Sequence, residues 1–214
     1  MKTSMLILML ILSLVVSGCY VQSLNVFYTE DAETEIPALM GEWNSRIQMG
    51  ESVTNKQIKS WAFSTNTVDT YDSDNKYSQL EVVYFKVGDS YFMDFTAGEP
   101  VTAKDSDPCC NFYWGAGLVL VHSLCKLEIK KNELIIIPLD LEWFTDKIDE
   151  EKMTLSWVKA KHENSNYVFT ATPSEWMTFL KKHKDSSAVF NQKHQFVFTK
   201  AKELHNKAID SDKK

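Results

Sequence analysis

Residues 80–87 and 90–96 are two runs rich in Val, Tyr and Phe, separated only by Gly88 and Asp89. A two-residue, Gly-containing link between such runs reads as a tight antiparallel hairpin. An isolated hairpin is marginal in water, so the rest of the chain must extend it. It supplies the strands. The first begins at Gly41, Glu42 and Trp43, and residues 57–65 make another that includes Ile58 and Trp61. Residues 118–130 form one strand or a bent pair, which turns at Lys131 and Asn132 and returns through 133–138. Residues 153–161 and 166–172 form a further hairpin, and 195–199 a last strand. The polar stretch 69–76 reads as a loop. So does 98–117, which holds Pro100, Pro108, Cys109, Cys110 and Trp114.

Two helices interrupt the strands. Residues 140–151 place Leu141, Phe144 and Ile148 on one helical face. Thr172, Pro173, Ser174 and Glu175 form a capping box with Pro in the first turn, opening a helix whose apolar face is Trp176, Phe179 and Leu180. The expected fold class is mainly β, an antiparallel up-and-down barrel or strongly bent sheet with two short helices. Closure is favoured because it removes exposed strand edges.

The N-terminus has the parts of a secretory signal: Lys2, an apolar run over 5–16 broken only by Ser13, then the small residues Ser17 and Gly18. The run is short of the roughly 20 apolar residues of a membrane span. No Lys or Arg cluster follows it to stop transfer. The expected organisation is a signal peptide over 1–18, a tether over 19–36, a β domain over 37–200 and a charged tail over 201–214. Removing 18 of the 214 residues leaves 196, enough for one domain. It also leaves 22 basic against 29 acidic residues. So acidic a chain is a poor partner for nucleic acid, and it gains nothing from an anionic membrane surface. With 44% hydrophobic and 12% aromatic residues, it has the material for a core.

Val16, Ser17, Gly18 and Cys19 resemble the lipobox of bacterial lipoproteins. The resemblance implies cleavage before Cys19, a diacylglyceryl thioether on its sulfur and an acylated new N-terminus. The membrane partner is then reached through lipid. Two or three acyl chains anchor stably where one is marginal. Tyr20 stands where an Asp would imply inner-membrane retention, so the resemblance favours the outer membrane.

Leu39, Gly41 and Trp43 carry a second resemblance, to the G-x-W of the first lipocalin strand, whose Trp plugs one end of the barrel. The wider layout resembles bacterial lipoproteins with a lipocalin-like (calycin-type) domain. They share the lipobox, the early L-x-G-x-W, a middle strand like Val121, His122 and Ser123, and a late T-x-x-E helix before the final strand. The likeness covers about 37–200. It departs at the final strands, which lack the Arg that lipocalins pack under the Trp; Lys193 or Lys200 would have to substitute.

The implied function is a lipid-anchored envelope protein whose barrel binds a small apolar ligand. Its alternative is an interaction or assembly lipoprotein with a solid core and an unnamed protein partner. Candidate ligand-binding residues are His122, as a polar group inside the barrel, Trp61, and Trp114 at the rim. For His122 the other reading is a hydrogen-bonded structural residue. The six Trp residues, Trp43, Trp61, Trp114, Trp143, Trp157 and Trp176, read equally as pocket lining or as plain core.

With Cys19 taken by lipid, Cys109, Cys110 and Cys125 remain. Adjacent cysteines rarely bond to each other. One of the pair with Cys125 is a candidate disulfide; the alternative is a buried, apolar Cys125. No C-x-x-C or paired His spacing points to a metal. Asp72, Ser73 and Asp74 lack the Gly and Glu of a calcium loop. No G-x-S-x-G elbow or phosphate-binding loop is present, and carboxylates such as Asp94, Asp140 and Glu142 are scattered. No enzyme activity and no cofactor are expected.

Overall fold

The computed structural model describes residues 20–46, 58–72, 77–97, 120–159 and 167–201. Strands β1 (Gln22–Ser23), β2 (Gly41–Ser45), β3 (Ile58–Phe63), β4 (Thr67–Asp72), β5 (Tyr77–Val87), β6 (Ser90–Ala97), β7 (His122–Lys130) and β8 (Glu133–Pro138) come first. Then follow helix α1 (Leu141–Asp149), strands β9 (Trp157–Lys159) and β10 (Tyr167–Phe169), helix α2 (Pro173–His183) and strand β11 (Phe196–Lys200).

Strands β2 to β8 pair in sequence order, each antiparallel to the next, and β11 lies between β8 and β2. These eight strands close a lipocalin-like up-and-down barrel, so the chain is mainly β with two short helices among the described residues. Gly88 takes φ +62° in the hairpin turn, a conformation that glycine adopts without steric cost.

Strand alternation makes two cores from one wall. Val82 and Tyr84 of β5, Met93 of β6, Cys125 and Leu127 of β7, and Leu134 and Ile136 of β8 point into the barrel. Phe85, Val87, Phe92, Leu124, Ile135 and Ile137 point outward, where α1 and α2 cover them with Phe144, Ile148, Trp176 and Leu180. Strand β8 is therefore buried on both faces and reads as a continuous apolar run.

Both helices start on caps. Asp140 accepts the Trp143 N–H at 2.9 Å, and Thr172 and Glu175 form the reciprocal capping box.

Two sequence expectations are corrected. Residues 20–36 are not a tether over their described length: Val21, Phe27 and Ile36 are buried, and β1 pairs with β7 and β10. Their apolar residues follow no regular period because the segment crosses the barrel as irregular chain. It is held by single contacts such as the Glu33–Phe85 bridge and the Trp176 Nε1–H to Ser23 Oγ bond of 3.1 Å. Residues 67–72, read mostly as loop, are strand β4, paired on both sides. Only Val68 of that strand is fully buried, so its sequence shows no alternation.

Strand β8 stops at Pro138, opposite Cys125, and β1 takes its place beside β7, opposite Ser123 and His122. Strand β10 runs parallel to β1, and β9 is antiparallel to β10. The sheet thus continues from β7 through β1 and β10 to β9.

The sequence readings on 1–18, Cys19, Cys109, Cys110, Trp114 and 202–214 lie outside the described residues.

Candidate functional site

Trp43 of β2 is fully buried in the barrel core. Its indole N–H donates to the Leu39 carbonyl at 2.7 Å. The ammonium of Lys200 sits 5.2 Å from a ring centroid of Trp43 and donates to the Ala38 carbonyl at 3.1 Å. A cation over an indole face is attracted by the ring quadrupole. Of the two lysines considered from sequence, Lys200 holds the place beside the Trp. Gly41 opens β2 at φ +106°, the left-handed region that a side chain would strain.

The interior behind Trp43 is packed. Val68, Met93, Leu134, Ile136 and Phe198 are all at 0% exposure. Trp61 points inward and packs against Phe63 and Phe198, with ring centroids 5.9 and 5.4 Å away. It is part of the filling, only partly buried. Cys125 is a free thiol inside this core, and burial pushes its pKa far up. Of the two readings of Cys125 this is the buried, apolar one: the side chain points into the barrel and behaves as a small apolar group.

Of the two readings of His122, the structure agrees with the hydrogen-bonded residue and not with a group inside the barrel. Cys125 and Leu127 point inward on β7, so the even-numbered His122, like Leu124, points out. There its Nδ1 lies 2.9 Å from Oδ1 of Asp94, which β6 presents on the same outer face. The other oxygen of Asp94 accepts the Phe27 backbone N–H at 3.0 Å. Asp94 is 2% exposed, and both carboxylate oxygens are used, which is what allows a carboxylate to be buried there. Paired to a carboxylate, Nδ1 is the donor, and in the neutral ring Nε2 is left as an acceptor.

The His122–Asp94 pair borders a groove of about 420 Å³, which Tyr28, Asn66, Gln79, Glu81 and Thr96 also line. The Tyr28 hydroxyl is held above its ordinary pKa, first by burial and then by the charges of Glu33, Asp94 and Glu30. The groove thus offers hydroxyl, amide, imidazole and carboxylate groups, suited to a hydrogen-bonding surface rather than to an apolar guest.

A second groove, of about 540 Å³, opens between the 33–37 segment and the β3–β4 turn. Ile36, Pro37, Met40, Val82 and Tyr84 give it apolar walls, and Glu33 and Glu35 stand at its side. Tyr84 is buried there, which raises its pKa, and its hydroxyl donates to the Ser64 carbonyl at 3.0 Å.

Asp140 and Trp143, also weighed from sequence, are structural. Asp140 caps α1, and Trp143 packs on Phe144 and Phe179. Sequence reasoning noted Asp94 and His122 separately and missed their pairing across 28 positions. The one signal that could have joined them is an acid in mid-strand, between the inward-facing Met93 and Phe95. Among the described residues, no three His, Cys, Asp or Glu side chains converge to hold a metal ion.

These features define the class: a closed β-barrel with a packed core, a helix layer on one side and two surface grooves, one polar and one with apolar walls. No family model, no curated protein and no solved structure matches this chain.

Proposed function

We propose that this chain is a lipid-anchored cell-envelope protein that works through the outside of a solid barrel, as an interaction or assembly module. The filled interior carries this reading: the side chains that a lipocalin-type ligand would displace are packed at 0% exposure. The lipobox resemblance at Val16 to Cys19 supports the anchor, and Tyr20 in place of Asp favours the outer membrane. Protein recognition falls to the outer surface, where the His122–Asp94 groove presents hydroxyl, amide, imidazole and carboxylate groups. No catalysis is part of this reading.

Two measurements test it. Cells fed an alkyne-tagged palmitate should label the wild-type chain and leave Cys19→Ala unlabelled. An environment-sensitive fatty-acid probe should gain no fluorescence on titration with the purified protein. Unlabelled wild type would remove the anchor. Stoichiometric probe uptake would remove the solid-barrel reading.

The 540 Å³ groove favours a second reading, a small apolar ligand held at the rim instead of in the interior, since its size is within the range of ligand pockets. Native mass spectrometry of the purified chain, before and after denaturation, separates the two: an apolar mass lost on denaturation selects the ligand reading.

A further inference from the structure

Strand alternation gathers polar side chains on one part of the outer wall. Val82 and Tyr84 point inward, so Glu81 and Val83 of β5 point out, with Asp94 and Thr96 of β6 and His122 of β7. The register sets Glu81 opposite Thr96 and Val83 opposite Asp94. Tyr28, from the N-terminal segment, and Asn66, from the β3–β4 turn, complete the lining of the groove of about 420 Å³.

Thr96 is only 9% exposed, yet its hydroxyl has no hydrogen-bond partner among the described residues. Every fully buried side-chain N and O there is paired, so this hydroxyl meets solvent, and it does so in the groove that Thr96 lines. A polar group so far desolvated gains more from a partner than an exposed one does. Nε2 of His122, the Tyr28 hydroxyl and the Glu81 carboxylate also carry no hydrogen bond among the described residues.

These groups suit a cation that donates. Asp94, with both oxygens taken, holds Nδ1 of His122 as the donor, which leaves Nε2 of the neutral ring as an acceptor. Glu81 and Asp94 bring negative charge to this groove, and Glu33 and Glu35 to its neighbour. Among the described residues no Lys or Arg lines either one. Burial first, and then the charges of Glu33, Asp94 and Glu30, keep the Tyr28 hydroxyl protonated beyond its ordinary range. An ammonium offers three donors about a point, whereas a guanidinium offers five in a plane and is the more weakly hydrated of the two. Acceptors of four kinds spread around one groove match the guanidinium.

The neighbouring groove sets the source. It shares Asn66, Val82 and Val83 with this one, and Ile36, Pro37 and Met40 give it apolar walls. Arginine beside large apolar side chains is the mixture enriched where one protein docks on another.

We infer that the groove of Tyr28, Glu81, Thr96 and His122 receives an arginine side chain of a protein partner, whose adjoining apolar residues lie in the groove of Ile36, Pro37 and Met40. This deepens the interaction reading above and rests on it.

The probe is Nα-acetyl-argininamide, titrated into the isotope-labelled full chain in mildly alkaline buffer and followed by nuclear magnetic resonance. Saturable shifts of the His122 ring and of the Glu81 and Thr96 amides are expected, with a dissociation constant on the order of 1 mM, the range for a ligand of that size. The neutral isostere Nα-acetyl-citrullinamide should leave them in place. Glu81→Gln, at an exposed position, and Thr96→Val, which keeps the shape, should each weaken the arginine probe several-fold in an otherwise unchanged spectrum. Acetyl-Leu-Leu-Arg-amide should bind more tightly and add shifts at Ile36 and Met40. An absent shift, equal binding of the citrulline probe or wild-type affinity in both variants overturns the arginine site, and no gain from the leucines overturns the protein partner. Octanoate added to the same sample tests the underlying reading. Shifts of the inward Met93, Leu134 and Ile136 methyls would remove the solid barrel and the protein partner with it. Quiet methyls beside a failed arginine titration overturn the site alone.

Discussion

Asp94 shows how one residue ties two parts of the molecule together. Its carboxylate holds the His122 imidazole on one oxygen and the Phe27 backbone N–H on the other, at 2% exposure. Replacing it by Ala strands two polar groups, and a buried unpaired donor costs about 1–3 kcal/mol. Asp94→Ala should lower the unfolding free energy in urea by about that amount. Asp94→Asn, which keeps one acceptor oxygen, should lose less. Equal losses would mean that the pairing contributes nothing specific. Beside Trp43, Lys200→Met keeps the stem but removes the cation over the ring and the bond to Ala38. A loss of about 0.5–2 kcal/mol in the same measurement is expected.

At the scale of elements, α2 offers the clearest pH dependence. His183, its last residue, packs on Phe179 with ring centroids 4.5 Å apart and on Trp143 at 5.8 Å. Burial, then the charge of Lys182, holds its imidazole below the ordinary value of 6.5. A base with a lowered folded pKa binds its proton more readily unfolded. Its contribution to stability is therefore present above pH 6.5 and lost as pH falls below that value toward the folded pKa. Melting curves between neutral pH and pH 5 should slope downward, and His183→Phe should flatten part of that slope. An unchanged slope would assign the pH dependence to other groups.

The same scale shows what could be read in advance. The β5–β6 hairpin, the all-apolar β8 and the capping box of α2 were legible because each repeats a local physical rule. Strand β4 was not, because its single fully buried Val68 leaves no period to detect. Strand β1 was not, because two residues cannot show one. For Cys125 and His122 the sequence left two readings open, for a related reason. The sequence marks β7 as a strand, but which of its faces meets the interior is settled only by closure against β6 and β8.

For the whole molecule, the two cores share the wall of β5 to β8, and the N-terminal segment contributes to both. Val21 and Phe27 enter the helix-side core, and Ile36 enters the barrel core. Burying each such side chain contributes about 1.5–3 kcal/mol, so the three together contribute on the order of 5–9 kcal/mol. That is comparable to the whole stability of a typical domain, about 5–15 kcal/mol. A chain beginning at Pro37, where the sequence alone places the start of the domain, should therefore fail to fold cooperatively, while one beginning at Tyr20 should melt in a single transition. Near-ultraviolet circular dichroism and thermal melting of the two chains decide it. A cooperative melt from the shorter chain would show that 20–36 is dispensable and that the barrel closes without it. Phe27→Ala in the full chain provides the graded version, with an expected loss of about 3–5 kcal/mol. Because Phe27 also donates its N–H to Asp94, that loss should come with a disturbed His122 environment, visible in its imidazole proton resonances.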